Sequence, residues 1–118
     1  MQTALTELIR HTVQGREADA ILRSCVHCGF CNATCPTYQL LGDELDGPRG
    51  RIYLIKQVLE GKAATASTQS HLDRCLTCRN CESTCPPGCS TGAWSISAAT
   101  LSSRGCSAPC ANARCALP

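Results

Sequence analysis

Eight of the twelve cysteines in the chain form two runs with the same spacing. The first run contains Cys25, Cys28, Cys31 and Cys35, and the second contains Cys75, Cys78, Cys81 and Cys85. Each run reads C-x2-C-x2-C-x3-C and is followed at once by a proline. This spacing is typical of thiolates that bind [4Fe-4S] clusters. The sequence therefore predicts two [4Fe-4S] clusters.

The fourth cysteine of each run is expected to bind the cluster of the other run, as in two-cluster proteins with this spacing. Cysteines three residues apart let a short turn place three thiolates on one cluster, whereas the fourth iron must be reached from elsewhere. The prolines after Cys35 and Cys85 oppose helical continuation and favour an extended cysteine. The predicted ligands are Cys25, Cys28, Cys31 and Cys85 for the first cluster, and Cys75, Cys78, Cys81 and Cys35 for the second.

Zinc sites and disulfides are the two alternatives for these cysteines. Zinc ribbons pair two C-x2-C knuckles and have no use for a third cysteine at the same step followed by C-P. Disulfides need an oxidising compartment, and the charges of Glu7, Arg10 and Arg16 exclude a secretion signal at the start of the chain. The cysteine content therefore favours a reducing cytoplasm as the location of the protein. A structural zinc-binding interaction module is the second hypothesis for its function.

Length and composition predict one small domain that depends on its clusters. The chain has 118 residues with one Phe, one Trp and two Tyr, which leaves few large side chains for a core. Because the unfolded chain does not preorganise the thiolates, the protein without clusters should be largely disordered. The net charge of +2 gives no case for nucleic acid. No apolar run approaches the roughly eighteen residues of a membrane span, so membrane association would go through a partner.

The apolar residues between the two runs follow helical steps, which predicts a mainly α fold rather than a compact β-hairpin ferredoxin. We expect an interruption at Gly15 and solvated loop over residues 37–50. The alternative for this stretch is a docking surface formed by the acidic Asp43, Glu44 and Asp46 with Arg49 and Arg51. The predicted helices span residues 18–24, 51–60 and 68–74, with Arg51 on the polar side of the second. Side chains beside the cysteines are expected to shield the clusters from water: Ile21, Val26, Phe30 and Leu76.

Two longer stretches carry a family resemblance. They are ILRSCVHCGFCNATCPTYQLLGDELDGPRGRIYLIKQVLEG, from Ile21 to Gly61, and HLDRCLTCRNCESTCP, from His71 to Pro86. The chain resembles the N-terminal domain of the glycolate oxidase iron-sulfur subunit family, within the wider group of α-helical ferredoxin subunits of lactate, glycerol-3-phosphate and heterodisulfide-type reductases. The resemblance covers residues 1 to about 88.

The resemblance implies a non-catalytic electron relay. FAD-containing glycolate oxidase subunits would oxidise glycolate to glyoxylate, with D-lactate to pyruvate as a further reaction, and this subunit would pass the electrons to a membrane acceptor. It implies a cytoplasmic protein that reaches the inner membrane through its partners. The alternative is the electron-transfer subunit of a related lactate or glycerol-3-phosphate dehydrogenase. The chain itself contains no G-x-G-x-x-G flavin fingerprint.

Residues 89–118 differ in composition from the rest and are expected to be an unstructured or out-of-frame tail after a domain at 1–88. They contain no Asp, Glu or Lys, and seventeen of the thirty are Ala, Ser or Cys. The family continues with two C-C-G modules that do not follow here, and one permitted set of codons restores a family-like continuation after Gly88. A frameshift or truncation after about residue 88 is therefore expected. It would leave either a working fragment or a relic that binds clusters without partners.

Four cysteines outside the two runs are then accidental: Cys89, Cys106, Cys110 and Cys115. The rival interpretation is a third metal site built on the C-x3-C-x4-C spacing of the last three. That spacing matches no common cluster or zinc pattern.

Overall fold

The computed structural model of the chain describes residues 1–90, and this part is helical without any β-strand. The helices are α1 (Glu7–Arg10), α2 (Val13–Ser24), α3 (Pro36–Leu41), α4 (Pro48–Leu59), α5 (Ala66–Asp73) and α6 (Asn80–Thr84). Two 3-10 turns span Phe30–Thr34 and Glu44–Asp46. The predicted mainly α fold is confirmed. No helix in this part of the chain has the length and apolar character needed to cross a membrane.

Helices α2 and α4 form the core on which both cysteine runs are mounted. On α4, Ile52, Ile55 and Leu59 follow one another at helical steps, which places them on a single buried face. Leu22 of α2 is fully buried against them, and the chain before α1 is held at Leu59 by a bond from the Thr6 N–H, 3.2 Å long. The buried cluster consists of Leu22, Cys25, Ile52, Ile55, Leu59 and Cys89.

The N-terminal helices differ from the prediction at Gly15. The interruption lies between α1 and α2, where the Thr12 hydroxyl accepts a 3.0 Å bond from the Gly15 N–H and caps α2. Gly15 is inside α2, and a Cβ there would lie 1.9 Å from the Ile9 carbonyl oxygen. Glycine is therefore needed for the close approach of the two helices and does not break α2.

The prediction of solvated loop over residues 37–50 is wrong for most of this stretch, because two helices use its turn-forming residues as caps. Helix α3 begins with Pro36 and ends at Leu41, and it is capped by Gly42, which has the left-handed φ of 66°. Helix α4 begins with Pro48, three residues before the predicted start. Proline at the first helical position lacks only an N–H that would have no partner inside the helix.

Candidate metal centres

Both cysteine runs fold into turns with the same backbone conformation. Left-handed φ values occur at His27 (60°) and Gly29 (83°) in the first run, and at Thr77 (55°) and Arg79 (60°) in the second. These positions match within the two runs, two and four residues after the first cysteine. Left-handed residues in tight turns direct backbone N–H groups toward one side, as in many iron-sulfur sites. The turns are therefore suited to cradle negatively charged sulfur.

The fourth cysteine of each run leaves its turn in the extended conformation that the following proline favours. Cys35 has φ −85° and ψ 115°, and Cys85 has φ −71° and ψ 116°. Each follows a short helical segment, the 3-10 turn Phe30–Thr34 and α6 respectively. The expected local geometry of the two cysteines is confirmed.

Two cavities bring the cysteines together, and each contains members of both runs. The first is lined by Cys25, Cys28 and Cys31 of the first run and by Cys85 and Cys81 of the second, with Cys89 beside them. The second is lined by Cys75, Cys78 and Cys81 of the second run and by Cys35 of the first. Among the described residues that line these cavities, Cys81 and Ile52 border both of them. The two sites are therefore adjacent.

The donor set fits four-iron clusters, because each cavity offers four thiols of the two runs as sulfur ligands. The remaining lining of the second site is largely apolar, from Pro48, Ile52, Ile55 and Leu72. An apolar wall limits water at a cluster and thereby influences its reduction potential.

Cys35 lies in surroundings that favour its thiolate. Its burial raises the pKa, but a side-chain hydrogen bond with Thr37, backbone N–H groups of Thr37 and Tyr38 and the charge of Arg51 outweigh that effect, so the pKa lies below its ordinary value. The Thr37 hydroxyl is 3.2 Å from the Cys35 sulfur, and the Arg51 Nη1 is 3.9 Å from it. The N–H groups belong to the first turn of α3, where they have no partner inside the helix.

A buried carboxylate, Asp46, stands behind this sulfur. It is 1% exposed and is bonded at 3.0 Å both to Nδ1 of His71 and to Nη1 of Arg74. Burial raises the pKa of Asp46, but the hydrogen bond and charge of His71 and the charge of Arg74 outweigh it and hold the pKa below its ordinary value. Asp46 and Arg51 were expected in solvent, and the structure corrects both. The acidic stretch before Arg49 and Arg51 was the only sequence signal for this network.

Cysteines near the first site have different surroundings. Burial raises the pKa of Cys31 to about 11 because a thiolate there would lose water. Cys89 is 2% exposed and its pKa is also raised, chiefly by burial. The Cys89 N–H donates to the Cys85 sulfur at 3.4 Å, and the Cys89 sulfur accepts from the Ser24 hydroxyl at 3.4 Å. Cys106, Cys110 and Cys115 lie outside the described residues.

Three of the four side chains predicted to shield the clusters are mostly exposed: Val26 is 66% exposed, Phe30 62% and Leu76 63%. Val26 nevertheless lines the first cavity, whereas Phe30 and Leu76 are not among the lining residues of either cavity. Cys28 and Cys78 are exposed on the cysteine turns. Ile21, in contrast, packs against the core. Each site is therefore buried on its α4 side and open at its turn.

This geometry defines an iron-sulfur electron-transfer domain, and the family comparison agrees. Residues 21–89 match the 4Fe-4S dicluster domain family, which is more than half of the 118-residue chain. The chain belongs to this family. Its cofactors are two [4Fe-4S] clusters.

Comparison with individual proteins shows which members of the wider group the chain is similar to. The chain is 77% identical over 88 residues to the glycolate oxidase iron-sulfur subunit of Escherichia coli (strain K12), which covers 75% of this chain and 22% of that protein. It is 40% identical over 86 residues to the probable glycolate oxidase iron-sulfur subunit of Bacillus subtilis (strain 168), covering 71% and 19%. It is 30% identical over 86 residues to the succinate dehydrogenase iron-sulfur subunit of Paracoccus denitrificans, covering 67% and 33%. The chain thus spans about a fifth of the two glycolate oxidase relatives. No solved structure matches the chain.

Proposed function

We propose that this chain relays single electrons through two neighbouring clusters as part of a glycolate oxidase iron-sulfur subunit. The observation that carries the proposal is the pair of adjacent cavities: the lining of each includes three thiols of one run and the fourth thiol of the other, and Cys81 borders both. Iron-sulfur clusters of this type supply reversible one-electron chemistry when bound. The chain supplies thiolate ligands, an apolar wall and backbone N–H groups.

In this proposal the first site consists of Cys25, Cys28, Cys31 and Cys85, and the second of Cys75, Cys78, Cys81 and Cys35. Crossed ligation ties the two turns together, so that neither site can form without the other run. The shared border at Ile52 and Cys81 supports a short distance between the two sites. A short distance allows an electron to pass between them without any movement of the chain.

We assign the electron donor to FAD-containing glycolate oxidase subunits, which would oxidise glycolate to glyoxylate and D-lactate to pyruvate. The acceptor would be a membrane component of the complex, which places the chain in the cytoplasm at the inner membrane through its partners. The 77% identity to the E. coli protein of that name supports glycolate over the 30% identity to a succinate dehydrogenase subunit.

Metal analysis tests the relay. Anaerobically purified protein should contain about eight irons and eight sulfides per chain and, after reduction with dithionite, should give the EPR spectrum of two interacting clusters. Zinc without sulfide would overturn the relay and make the chain a structural zinc-binding module.

Reduction by substrate tests the donor. The loaded chain mixed with the flavin subunits should bleach at its visible absorption band when glycolate is added, and a mixture without flavin subunits is the control. A chain that dithionite reduces but glycolate does not, in the presence of those subunits, would contradict the glycolate assignment while leaving the relay in place.

A further inference from the structure

We propose that Arg51 is a positioning residue of the second site: it holds Cys35 in place, and its buried, only partly compensated charge raises the reduction potential of the cluster there. The inference rests on the proposed function, because it requires both clusters and the crossed position of Cys35. It assigns a role to a residue outside the cysteine runs.

The contacts of Arg51 join three segments at the Cys35 sulfur. The side chain is 8% exposed. Its Nε donates to the His71 carbonyl oxygen of α5 at 2.8 Å, its Nη2 donates to the Thr37 hydroxyl at 3.1 Å, and its Nη1 points at the Cys35 sulfur from 3.9 Å. Arg51 itself is on α4. The guanidinium is therefore held in one orientation, beside a thiolate of the second site.

The positive charge of Arg51 is only partly compensated, because its carboxylate partner is shared with a second arginine. The only carboxylate near it in the described residues, Asp46, is 3.9 Å from its Nη2, whereas Arg74 is bonded to that carboxylate at 3.0 Å. His71 takes a further position on the same carboxylate, also at 3.0 Å. The close hydrogen bonds of Arg51 go to neutral oxygens. One negative charge is therefore shared by two arginines, and the network keeps a net positive charge.

Arg49 is the natural control, because it stands beside the first site but is neutralised. A Cβ on Gly29 would lie 2.6 Å from its Nη1, so the guanidinium is close to the first cysteine turn. Its Nε is bonded to Glu44 at 2.5 Å, and its side chain is 34% exposed. An ion pair in contact with water has a weaker field than a buried single charge.

Reduction adds one electron to a cluster without making or breaking a bond, so the charge at the site becomes more negative by one. A fixed positive charge nearby stabilises the reduced form and raises the potential. Removing the charge of Arg51 should therefore lower the potential of the second cluster. Removing the negative charge of Asp46 should raise it, which a purely structural role would not produce.

The experiment is a redox titration of the loaded full chain, followed by EPR, for Arg51→Gln, Arg51→Lys, Asp46→Asn and Arg49→Gln. Arg51→Gln should make one cluster about tenfold harder to reduce, which is about 59 mV for one electron, and leave the other unchanged. Arg51→Lys should keep most of the potential. Asp46→Asn should shift the same cluster in the opposite direction, and Arg49→Gln should change both potentials less than Arg51→Gln changes one.

Ligand variants identify the cluster that responds. In a Cys28→Ser background, which weakens the first site, the remaining signal should still shift with Arg51→Gln; in a Cys78→Ser background it should not. The opposite pattern in the two backgrounds would overturn the inference. So would potential shifts of the same sign for Arg51→Gln and Asp46→Asn, or loss of the second cluster in both of these variants. Failure of the proposed function would be recognised separately, because the unaltered chain would then not contain the expected irons and sulfides, about eight of each.

Discussion

The two cluster sites come from runs with the same cysteine spacing, yet their fourth cysteines have different surroundings. Cys35 is followed by Pro36 and Thr37, and α3 starts there. Cys85 is followed by two prolines, so the position equivalent to Thr37 has neither a hydroxyl nor an N–H. The spacing of a repeat sets where thiolates meet, and the residues just beyond it make the two sites different.

The two fourth cysteines also differ in the side chains that lie next to them. Behind Cys35 is the network of Thr37, Arg51 and Asp46, whereas beside Cys85 lies another thiol, Cys89, whose N–H donates to the Cys85 sulfur at 3.4 Å. The second site thus has a charged support, and four thiols line its cavity. Six thiols line the first cavity, among them Cys81, which borders both cavities, and Cys89, which belongs to neither run. Variants at these residues test whether the sites really differ in this way.

The largest effect is expected for Cys35→Ser, which removes the proposed fourth ligand of the second site. Iron should fall from about eight to about four per chain. Crossed ligation makes a sharp further prediction: adding Cys78→Ser should change little, because both belong to the second site, whereas adding Cys28→Ser should remove the remaining iron. If Cys28→Ser were the silent addition, each run would bind its own cluster.

Cys85→Ser should cost less iron than Cys35→Ser, because Cys89 lines the same cavity and can offer a replacement thiolate. The double variant Cys85→Ser/Cys89→Ser should fall to about four irons per chain, while Cys89→Ser alone should keep both clusters. Iron and sulfide analysis with EPR measures all three variants. A single Cys85→Ser variant already at the level of the double variant would show that Cys89 cannot substitute.

A smaller effect is expected for Asp46→Asn, measured as stability of the loaded protein in urea under anaerobic conditions. The largely buried donor of His71 and the half-exposed donor of Arg74 would lose their buried carboxylate, which should cost about 2 to 3 kcal/mol. Because the folded-state pKa of Asp46 is depressed, its contribution is present above the ordinary pKa of 3.8 and is lost as the pH falls through the lower folded value.

The matched control is Asp43→Asn. Asp43 is exposed and accepts a 2.9 Å bond from the Leu45 N–H, which asparagine can also accept. We expect a change within about 0.5 kcal/mol. Equal losses at Asp43 and Asp46 would mean that the buried network contributes no more than a surface carboxylate.

The sequence predicts much of the ligand geometry because that geometry is local. Three cysteines at steps of three, a fourth before proline and an apolar face on α4 are readable within a few residues of each other. Burial of Asp46 and Arg51 is not readable in this way, because it depends on α4 and α5 meeting across residues distant in the chain. Pro36, Gly42 and Pro48 misled for another reason: the same residues begin and end helices as well as loops. The predicted tail boundary at 88 stays a prediction, although Cys89 is buried in the core.

The smallest expected effect is at Thr37, and it separates charge from anchoring at the second site. The Thr37 hydroxyl contacts the Cys35 sulfur, donates to the Asp46 carbonyl oxygen at 2.8 Å and accepts from Arg51. Thr37→Val removes this neutral group but keeps the Arg51 charge, so the potential of the second cluster should fall less than in Arg51→Gln. Thr37→Ser retains the hydroxyl and should leave the potential unchanged in the same EPR titration. A shift in Thr37→Val as large as in Arg51→Gln would mean that the orientation of Arg51, and not only its charge, controls the second site.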